Sequence, residues 1–528
     1  MLLLFFGAVL FLALLATLVS NKYGIPALLL FLALGMAFSM AGFGFDNFLL
    51  ADNFASAALM VIMFYGGYGT KWKMAKPVYK EAVVLASLGV AATAILTGLF
   101  CHYILNFDFP EAMLIGSIVG STDYASVSSI LKSKNLNLRY STAPLLEMES
   151  GSNDPMAYTM TFIFLSLIAK SSASPALLIV KQIAVGLGAG FILSYIFAKI
   201  IVVTRFYEEE GIFSIFMLAV MMISYQGTDF IGGNGFLTVY IIGMQLGNMQ
   251  YKGKREIVFF FDGLSSLMQI GLFFLLGLLS DVSRFAAALP ISAAIMMFMF
   301  IIARPLSVAV LMKPFKIKKN QLAFISLAGL RGAAAIAFAI MAVNTGLDFR
   351  WDIYHIVLGI CFLSTLVQGF LMPIFAKKWD MLDPGDSVLK TFNFYQDKSP
   401  LSFIELTLKA GDRSVGKRIS ELNFAFNIII AKIERNGKTI VPKGDTVLEA
   451  GDMLVFGGKE YFDYSGRDLT EVTIAEHDSR CGKMIKDMAI PAENLVVMMQ
   501  TADGDIIIPG GNTVANSGDK LVILEGDK

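Results

Sequence analysis

The sequence predicts an all-α polytopic membrane protein that carries a small soluble tail. Of its 528 residues, 56% are hydrophobic and only 16% are charged, against about 25% charged in an ordinary soluble domain. Long apolar runs follow one another over roughly the first 380 residues. Beyond Asp380 the composition changes to short alternating segments with Gly-Asp turns, which is typical of small strands. These observations exclude a globular enzyme as the main body of the chain.

Thirteen apolar runs are long enough to cross a bilayer, which takes roughly 17–25 residues. They lie at about 2–20, 23–42, 53–69, 80–106, 111–132, 142–169, 174–204, 209–226, 230–249, 256–280, 283–312, 320–343 and 352–377. The first run has no basic leader and no clear cleavage site, so we expect it to be a retained span rather than a signal peptide.

The charges of the connecting loops predict how the chain is oriented. Odd-numbered loops are basic, for example Lys71 and Lys76 in the third, whereas even-numbered loops hold acids such as Asp46 and Asp108. By the positive-inside rule, the N-terminus lies outside and the tail is cytoplasmic. We therefore expect a multi-pass protein of the cell (inner) membrane.

The tail contains an internal repeat. The segment Gly-Asp-Thr-Val at 444–447 recurs as Gly-Asn-Thr-Val at 511–514, and most repeated pairs are 67 residues apart. The prediction is a transmembrane domain over 1–380 followed by two small α+β domains, at 395–462 and 463–528. A purely structural tandem is one interpretation; ligand sensing or dimerisation is the other.

Three carboxylates, Glu147, Glu149 and Asp154, fall inside the sixth apolar run. A carboxylate at mid-bilayer costs roughly 2.5–3.5 kcal/mol, so the cluster requires a function or a partner. On a helix, four polar residues share one face: Glu149, Ser150, Asn153 and Asp154. We predict that this face binds a monovalent cation in competition with protons.

Two other spans contain features that interrupt a helix. Residues 116–123 read Gly-Ser-Ile-Val-Gly-Ser-Thr-Asp, and residues 329–332 read Gly-Leu-Arg-Gly. They belong to the fifth and the twelfth of the predicted spans. If spans 1–6 and 8–13 are inverted repeats, each interrupted span is the fifth of its repeat. Interrupted helices at matching positions predict a midplane site and alternating access. Asp123 would then balance the charges of helix ends, and Arg331 would pair with Glu149.

The sequence predicts different roles for Asp154 and Glu149. Pro155 removes a helix hydrogen bond just after Asp154, which suits a site that exchanges ligands. The pairing of Glu149 with Arg331 could equally be a structural connection between helices. Glu147 and Asp262 have no assigned role.

Other classes of function lack the residues they require. Three cysteines and three histidines are scattered without metal-ligand spacing, and the tail shows no nucleophile or phosphate loop, so no enzyme activity is expected. No cofactor or nucleic-acid partner is expected. A ligand-gated cation channel is the alternative, but it would require a selectivity filter that the sequence lacks. The carboxylate-bearing face of the sixth run does not indicate whether the cation is potassium or sodium.

The motif Glu-Ser-x-x-Asn-Asp-Pro at 149–155, with Gly-Ser-Thr-Asp at 120–123 and Gly-Leu-Arg-Gly at 329–332, resembles the monovalent cation/proton antiporter family. The stretches at 235–240 and 261–264 are most similar to its potassium/proton branch, called cell volume regulation protein A. The tail resembles the C-terminal domain of regulators of potassium conductance, present twice and without the Rossmann half.

The resemblance implies a homodimer in which a core domain rocks against a dimerisation domain, with roles in pH homeostasis and cell volume regulation. Asp154 would carry the cation or proton, with Ser150 helping to coordinate the cation. Thr122 and Asp123 would lie at the helix crossing, Asn153 would contact Asp123, and the asparagine at 153 resembles electroneutral members. A regulatory nucleotide such as cyclic di-AMP on the tail is a further implication.

Overall fold

A computed structural model describes most of the chain, in two compact units, Met1–Lys398 and Ser399–Lys528. The described residues of the first unit are 2–23, 26–70, 72–123, 126–127, 130–131, 138–170, 174–204, 211–249, 251 and 254–382. Those of the second unit are 401–408, 411–412, 414–422, 429–435, 438–459, 469–475, 477–488, 490–491, 494–502, 506–507 and 509–524.

The first unit is helical throughout its described part. Its α-helices are α1 (Leu2–Tyr23), α2 (Ala27–Phe38), α3 (Phe48–Gly69), α4 (Trp72–Ala75), α5 (Tyr79–Val84), α6 (Val90–Tyr103), α7 (Phe109–Ile118), α8 (Thr142–Ile168), α9 (Pro175–Thr204), α10 (Ile212–Phe230), α11 (Gly235–Asn248), α12 (Lys254–Leu278), α13 (Val282–Phe298), α14 (Arg304–Leu311), α15 (Lys319–Leu327), α16 (Ala333–Asn344) and α17 (Ile353–Lys378). Short π-helical turns continue α2, join α5 to α6 and join α13 to α14.

The helices match the predicted membrane segments. Within the described residues, eight helical segments are long and apolar enough to cross a membrane by length and composition, and three shorter apolar helices accompany them. Each of the thirteen predicted runs contains at least one described helix. The 27-residue α8 carries the three acids of the sixth run.

Both predicted interruptions are present. Helix α7 ends at Ile118, residues 119–123 are not helical, and helical residues resume at 126. Helix α15 ends at Leu327, and α16 begins only at Ala333. Beyond the amides of Val119, Gly120 and Ala328, which still bond to the preceding helical turn, backbone groups in these stretches are available to contact each other and the neighbouring helices.

Glycines bring α3 and α11 together at backbone distance. A Cβ at Gly67 would lie 2.3 Å from the Tyr240 carbonyl oxygen, and one at Gly243 would lie 2.4 Å from that of Phe64. Gly247 is equally close to the carbonyl of Tyr68. Small residues allow this approach, which is the usual way that membrane helices gain packing contacts.

The tail forms two four-stranded antiparallel sheets of the same design. The first has strands β1 (Leu401–Thr407), β2 (Ile429–Arg435), β3 (Lys438–Ile440) and β4 (Met453–Lys459) in the order β1-β4-β2-β3. The second has β5 (Leu469–Thr473), β6 (Leu495–Gln500), β7 (Ile506–Ile507) and β8 (Lys520–Leu524) in the order β5-β8-β6-β7. Equivalent bulges fall at 430–432 and 496–498, and the helical parts described here are 3₁₀ turns.

The two copies differ at their buried aspartate. In the first, the fully buried Asp452 accepts two hydrogen bonds from Arg435, at 2.7 and 2.8 Å, and one from the Glu449 amide. Sixty-seven residues on, Asp519 keeps the equivalent bond from the Asn516 amide, but the backbone amide of Ala502 takes the place of the Arg435 guanidinium. The Arg435 guanidinium holds the pKa of Asp452 below its ordinary value of 3.8.

We expect Gly243→Ala to lower the melting temperature of the purified protein in detergent. The added Cβ would overlap the Phe64 carbonyl, and overpacking costs roughly 1–3 kcal/mol. Gly188→Ala is the matched control, because that glycine lies in the middle of α9 with nothing within 4 Å of the added Cβ. Equal melting temperatures for the two variants would contradict close α3–α11 packing.

Replacing Arg435 by Ala should loosen the first copy of the tail by about 1–3 kcal/mol, because a buried carboxylate loses its donors. Hydrogen exchange of the intact protein should speed up in β2 and β4, while β6 and β8 serve as the internal control. Since the folded-state pKa of Asp452 is depressed, this contribution is full above pH 3.8 and is lost as the pH falls through the lowered pKa. Unchanged exchange in β2 and β4 at neutral pH would refute the assigned role.

Candidate ion site at the helix crossing

The two interrupted stretches are hydrogen-bonded to each other. The Asp123 amide donates to the Leu330 carbonyl at 2.9 Å. In return, the Arg331 guanidinium donates to the carbonyl oxygens of Gly120, at 2.7 Å, and Ser121. Each break therefore supplies partners for backbone groups that the other break leaves without helical hydrogen bonds.

Asp123 lies against the ends of two half-helices. Its carboxylate accepts hydrogen bonds from the amide of Ser126, at 3.3 Å, and from the Ser126 hydroxyl, at 2.7 Å. It also touches Gly332, the N-cap residue just before α16, so closely that a Cβ there would lie 2.0 Å from Oδ2. A negative charge is favoured at helix N-termini, and the structure agrees with the predicted balancing of helix ends.

Helix α8 contacts the first break through three side chains. Asn153 donates to the Thr122 hydroxyl and Ser150 to the Thr122 carbonyl, both at 2.5 Å. The Ser121 hydroxyl donates to the Asp154 carboxylate. Ser121 belongs to the Gly-Ser-Thr-Asp motif, but the sequence analysis did not identify it as a site residue.

The expected contact of Asn153 with Asp123 is wrong. Asn153 donates to Thr122, and its amide oxygen is 3.5 Å from the Ser121 hydroxyl. The unwound chain presents residues 121 and 122 to α8, while the Asp123 side chain is directed to the helix ends at Ser126 and Gly332.

The predicted pairing of Glu149 with Arg331 is also wrong. Glu149 pairs with Arg304, at 2.6 Å between carboxylate and guanidinium, and these side chains are 1% and 3% exposed. Arg331 instead donates from its Nη1 nitrogen to the two carbonyls of the first break. Sequence reasoning missed Arg304, although an arginine well inside the apolar run 283–312 was a signal that an acid partner was needed.

A second missed residue, Asn234, joins α11 to the proline of α8. Its buried side chain donates to the Pro155 carbonyl at 2.8 Å and to the Thr159 hydroxyl at 3.1 Å, and it accepts from the Leu237 amide as the cap of α11. A Gly-Gly-Asn-Gly segment before an apolar run indicates such a cap. Asn234 thereby fixes the α8 backbone directly after Asp154.

Exposure distinguishes the acids of α8. Glu149 is buried, whereas Glu147 and Asp154 are half-buried. The Ser121 hydroxyl contacts Asp154, and the oxygens of Thr122 and Ser150 lie in the same contact between α8 and the first break; such oxygens are ligands suited to hard cations. Asp262 lies elsewhere, on α12, and accepts from the Tyr65 hydroxyl at 2.9 Å.

The revised pairing can be tested by a mutant cycle on the melting temperature in detergent. Arg304→Gln should destabilise the protein by about 3–5 kcal/mol, because Glu149 is left buried without a counter-charge. Adding Glu149→Gln should restore much of this loss. Adding Glu149→Gln to the Arg331→Gln variant should not restore its stability, because Arg331 binds backbone carbonyls rather than Glu149. If Glu149→Gln instead restored the stability of the Arg331→Gln variant, Arg331 would be the partner of Glu149.

Comparison with known proteins identifies relatives of both parts of the chain. The family model described as sodium/hydrogen exchanger, transmembrane, matches residues 9–378, and that of the TrkA-C domain matches residues 403–460. The chain is 32% identical over 453 residues to a K(+)/H(+) antiporter NhaP2 of Shewanella sp. (strain MR-4), covering 84% of this chain and 78% of the relative. It is 30% identical over 463 residues to a K(+)/H(+) antiporter NhaP of Alkalimonas amylolytica, covering 85% and 79%.

A solved structure shares the fold. The sodium proton antiporter MjNhaP1 from Methanocaldococcus jannaschii superposes with a TM-score of 0.62 at 23% identity, covering 71% of this chain and 97% of that one. The broken helices, the match over residues 9–378 and the extended similarity to the two curated relatives agree with one another. The chain belongs to the sodium/hydrogen exchanger family.

Proposed function

We propose that this protein is a secondary antiporter that exchanges a monovalent cation, with K⁺ favoured, for protons at Asp154. The observation that carries the proposal is the environment of that carboxylate. It is half-buried at the crossing of two interrupted helices, and the neighbouring α8 residues Glu149 and Asn153 are buried in fixed contacts.

The charges around Asp154 favour competition between ligands. Asp123 lies at helix N-termini, Glu149 is paired with Arg304, and Arg331 is bound to backbone carbonyls. The described contact of Asp154, by contrast, is with the neutral Ser121 hydroxyl. A carboxylate in this setting is stabilised either by a proton or by a cation, and each ligand excludes the other.

Competition at a single carboxylate yields antiport when only the loaded site can change its access. One proton is then exchanged for one monovalent cation of the same charge. Each cycle therefore moves no net charge across the membrane, and the exchange is electroneutral. In this mechanism Asp154 is the carrier and Ser150 and Thr122 contribute oxygens. Asn153 holds Thr122 in place, and Asp123 fixes the crossing.

The preference for potassium is supported by two relatives named K(+)/H(+) antiporters, which are at least 30% identical and align over more than four fifths of this chain. Sodium/proton exchange is the alternative, since a relative named Na(+)/H(+) antiporter 1 aligns over 55% of the chain at 26% identity. A ligand-gated channel would conduct without moving protons, so the same assay distinguishes it.

We further propose that the protein acts as a homodimer in the cell (inner) membrane, with its N-terminus outside. The tail, with domains at 395–462 and 463–528, would regulate transport from the cytoplasmic side. A regulatory nucleotide such as cyclic di-AMP is a candidate ligand, supported by the TrkA-C match and by the duplicated sheet.

We expect Asp154→Asn to abolish cation-dependent proton movement in everted membrane vesicles, because asparagine takes up neither a proton nor a cation in place of the carboxylate. A fluorescent pH dye would report the exchange after separate additions of K⁺ and Na⁺. Glu111→Gln is the matched control, since Glu111 is a carboxylate near the start of α7 that accepts from the Arg350 amide, away from the crossing.

Wild-type rates of exchange in the Asp154→Asn variant would overturn the proposed carrier. Cation-driven currents without any change in the pH dye would overturn antiport itself and favour the channel. A stronger dye response to Na⁺ than to K⁺ would leave the antiport mechanism in place and identify Na⁺ as the preferred cation.

A further inference from the structure

Glu147 occupies a special position on α8 that the proposed mechanism does not use. It precedes Asp154 by seven residues, which is two helical turns, so the two side chains lie on the same face about 10 Å apart along the axis. Gly151 lies between them on that face. All three residues are half-buried, unlike Glu149 and Asn153.

This face is directed at α11 rather than at lipid. A Cβ built on Gly151 would lie 3.1 Å from a ring carbon of Tyr240 and 3.5 Å from its hydroxyl oxygen. Gly151 and Glu147 therefore lie next to Tyr240 of α11, and Asp154, about one turn further along α8, contacts Ser121 of the first break. Because Gly151 has no side chain, the Tyr240 hydroxyl can sit between the levels of the two carboxylates.

The Tyr240 hydroxyl is a second, independent indication of a ligand. Tyr240 is 3% exposed, and within the described part of the chain its hydroxyl has no partner in hydrogen-bonding geometry. The hydroxyl groups of Thr70 and Ser152 and the carboxylate of Glu147 lie near it. A buried hydroxyl without a partner is costly, roughly 1–3 kcal/mol in proteins, and an ion or its hydration water between the carboxylates would relieve that cost.

We propose that Glu147 is a second binding residue for the transported ion, on the route between Asp154 and the side of the membrane where α8 begins. This inference rests on the proposed function. A cation or proton leaving Asp154 passes the Tyr240 hydroxyl and reaches Glu147 before it meets solvent. By the loop charges, that side is the cytoplasm.

A transient site of this kind has a clear kinetic consequence. A second carboxylate about 10 Å away raises the local concentration of cations on one side only, and it need not hold the ion tightly. Replacing Glu147 should therefore weaken the apparent affinity for the cation on the cytoplasmic side and leave the maximal rate of exchange largely unchanged. Loss of Asp154 removes exchange altogether.

The test measures K⁺/H⁺ exchange with the full-length protein in everted and in right-side-out vesicles. Glu147→Gln should raise the half-saturating K⁺ concentration by about 5- to 30-fold in everted vesicles, where the cytoplasmic face is outside, and much less in right-side-out vesicles. Glu147→Asp should restore most of the affinity. Glu111→Gln, at the other end of the membrane domain, serves as the control.

Tyr240→Phe extends the test to the hydroxyl. It should shift the half-saturating concentration in the same direction as Glu147→Gln, and the two changes together should shift it by less than the sum of the single effects in free-energy terms. Equal half-saturating concentrations in wild type and Glu147→Gln, or equal shifts from both faces, would overturn the proposal. Absence of exchange in the wild type would contradict the proposed function instead, so the two failures are distinguishable.

Discussion

The architecture of the membrane unit depends on the mutual hydrogen bonding of two broken helices. An interrupted helix inside a bilayer leaves amides and carbonyls that water cannot satisfy, and each such group is costly. Here the two breaks satisfy one another: Asp123 donates its amide to Leu330, and Arg331 binds the carbonyls of Gly120 and Ser121. The two stretches are therefore joined into one structural unit by these bonds.

That unit brings oxygen atoms close to α8, where we propose the ion site. Once Arg331 binds two carbonyls and Asp123 rests at the helix ends, residues 121 and 122 face Ser150, Asn153 and Asp154. Glu149 is removed from the site by its bond to Arg304. The paired charges of Glu149 and Arg304 are thus separate from Asp154, as the proposed carrier role requires.

The contrast between Glu149 and Asp154 illustrates what sequence patterns can predict. Helical spacing placed both acids on one face, and the proline at 155 favoured Asp154 as the exchanging group. Spacing alone could not choose between Arg304 and Arg331 as the partner of Glu149, because the choice depends on which guanidinium the backbone carbonyls of another span already occupy. Likewise, no local pattern indicates that Asn234 reaches the Pro155 carbonyl 79 residues away in the chain.

Composition, periodicity and local backbone preference were enough to predict the class of protein, the apolar segments, the two interruptions, the repeated tail and the acids of the sixth segment. These properties depend on residues that are neighbours in the chain. The partners became known only from the folded protein: Arg304 for Glu149, Thr122 for Asn153, Ser121 for Asp154, and Tyr240 against Gly151. The physical reason is that a buried polar group takes whichever partner the packed helices bring within hydrogen-bond distance, and helix packing is a property of the whole chain.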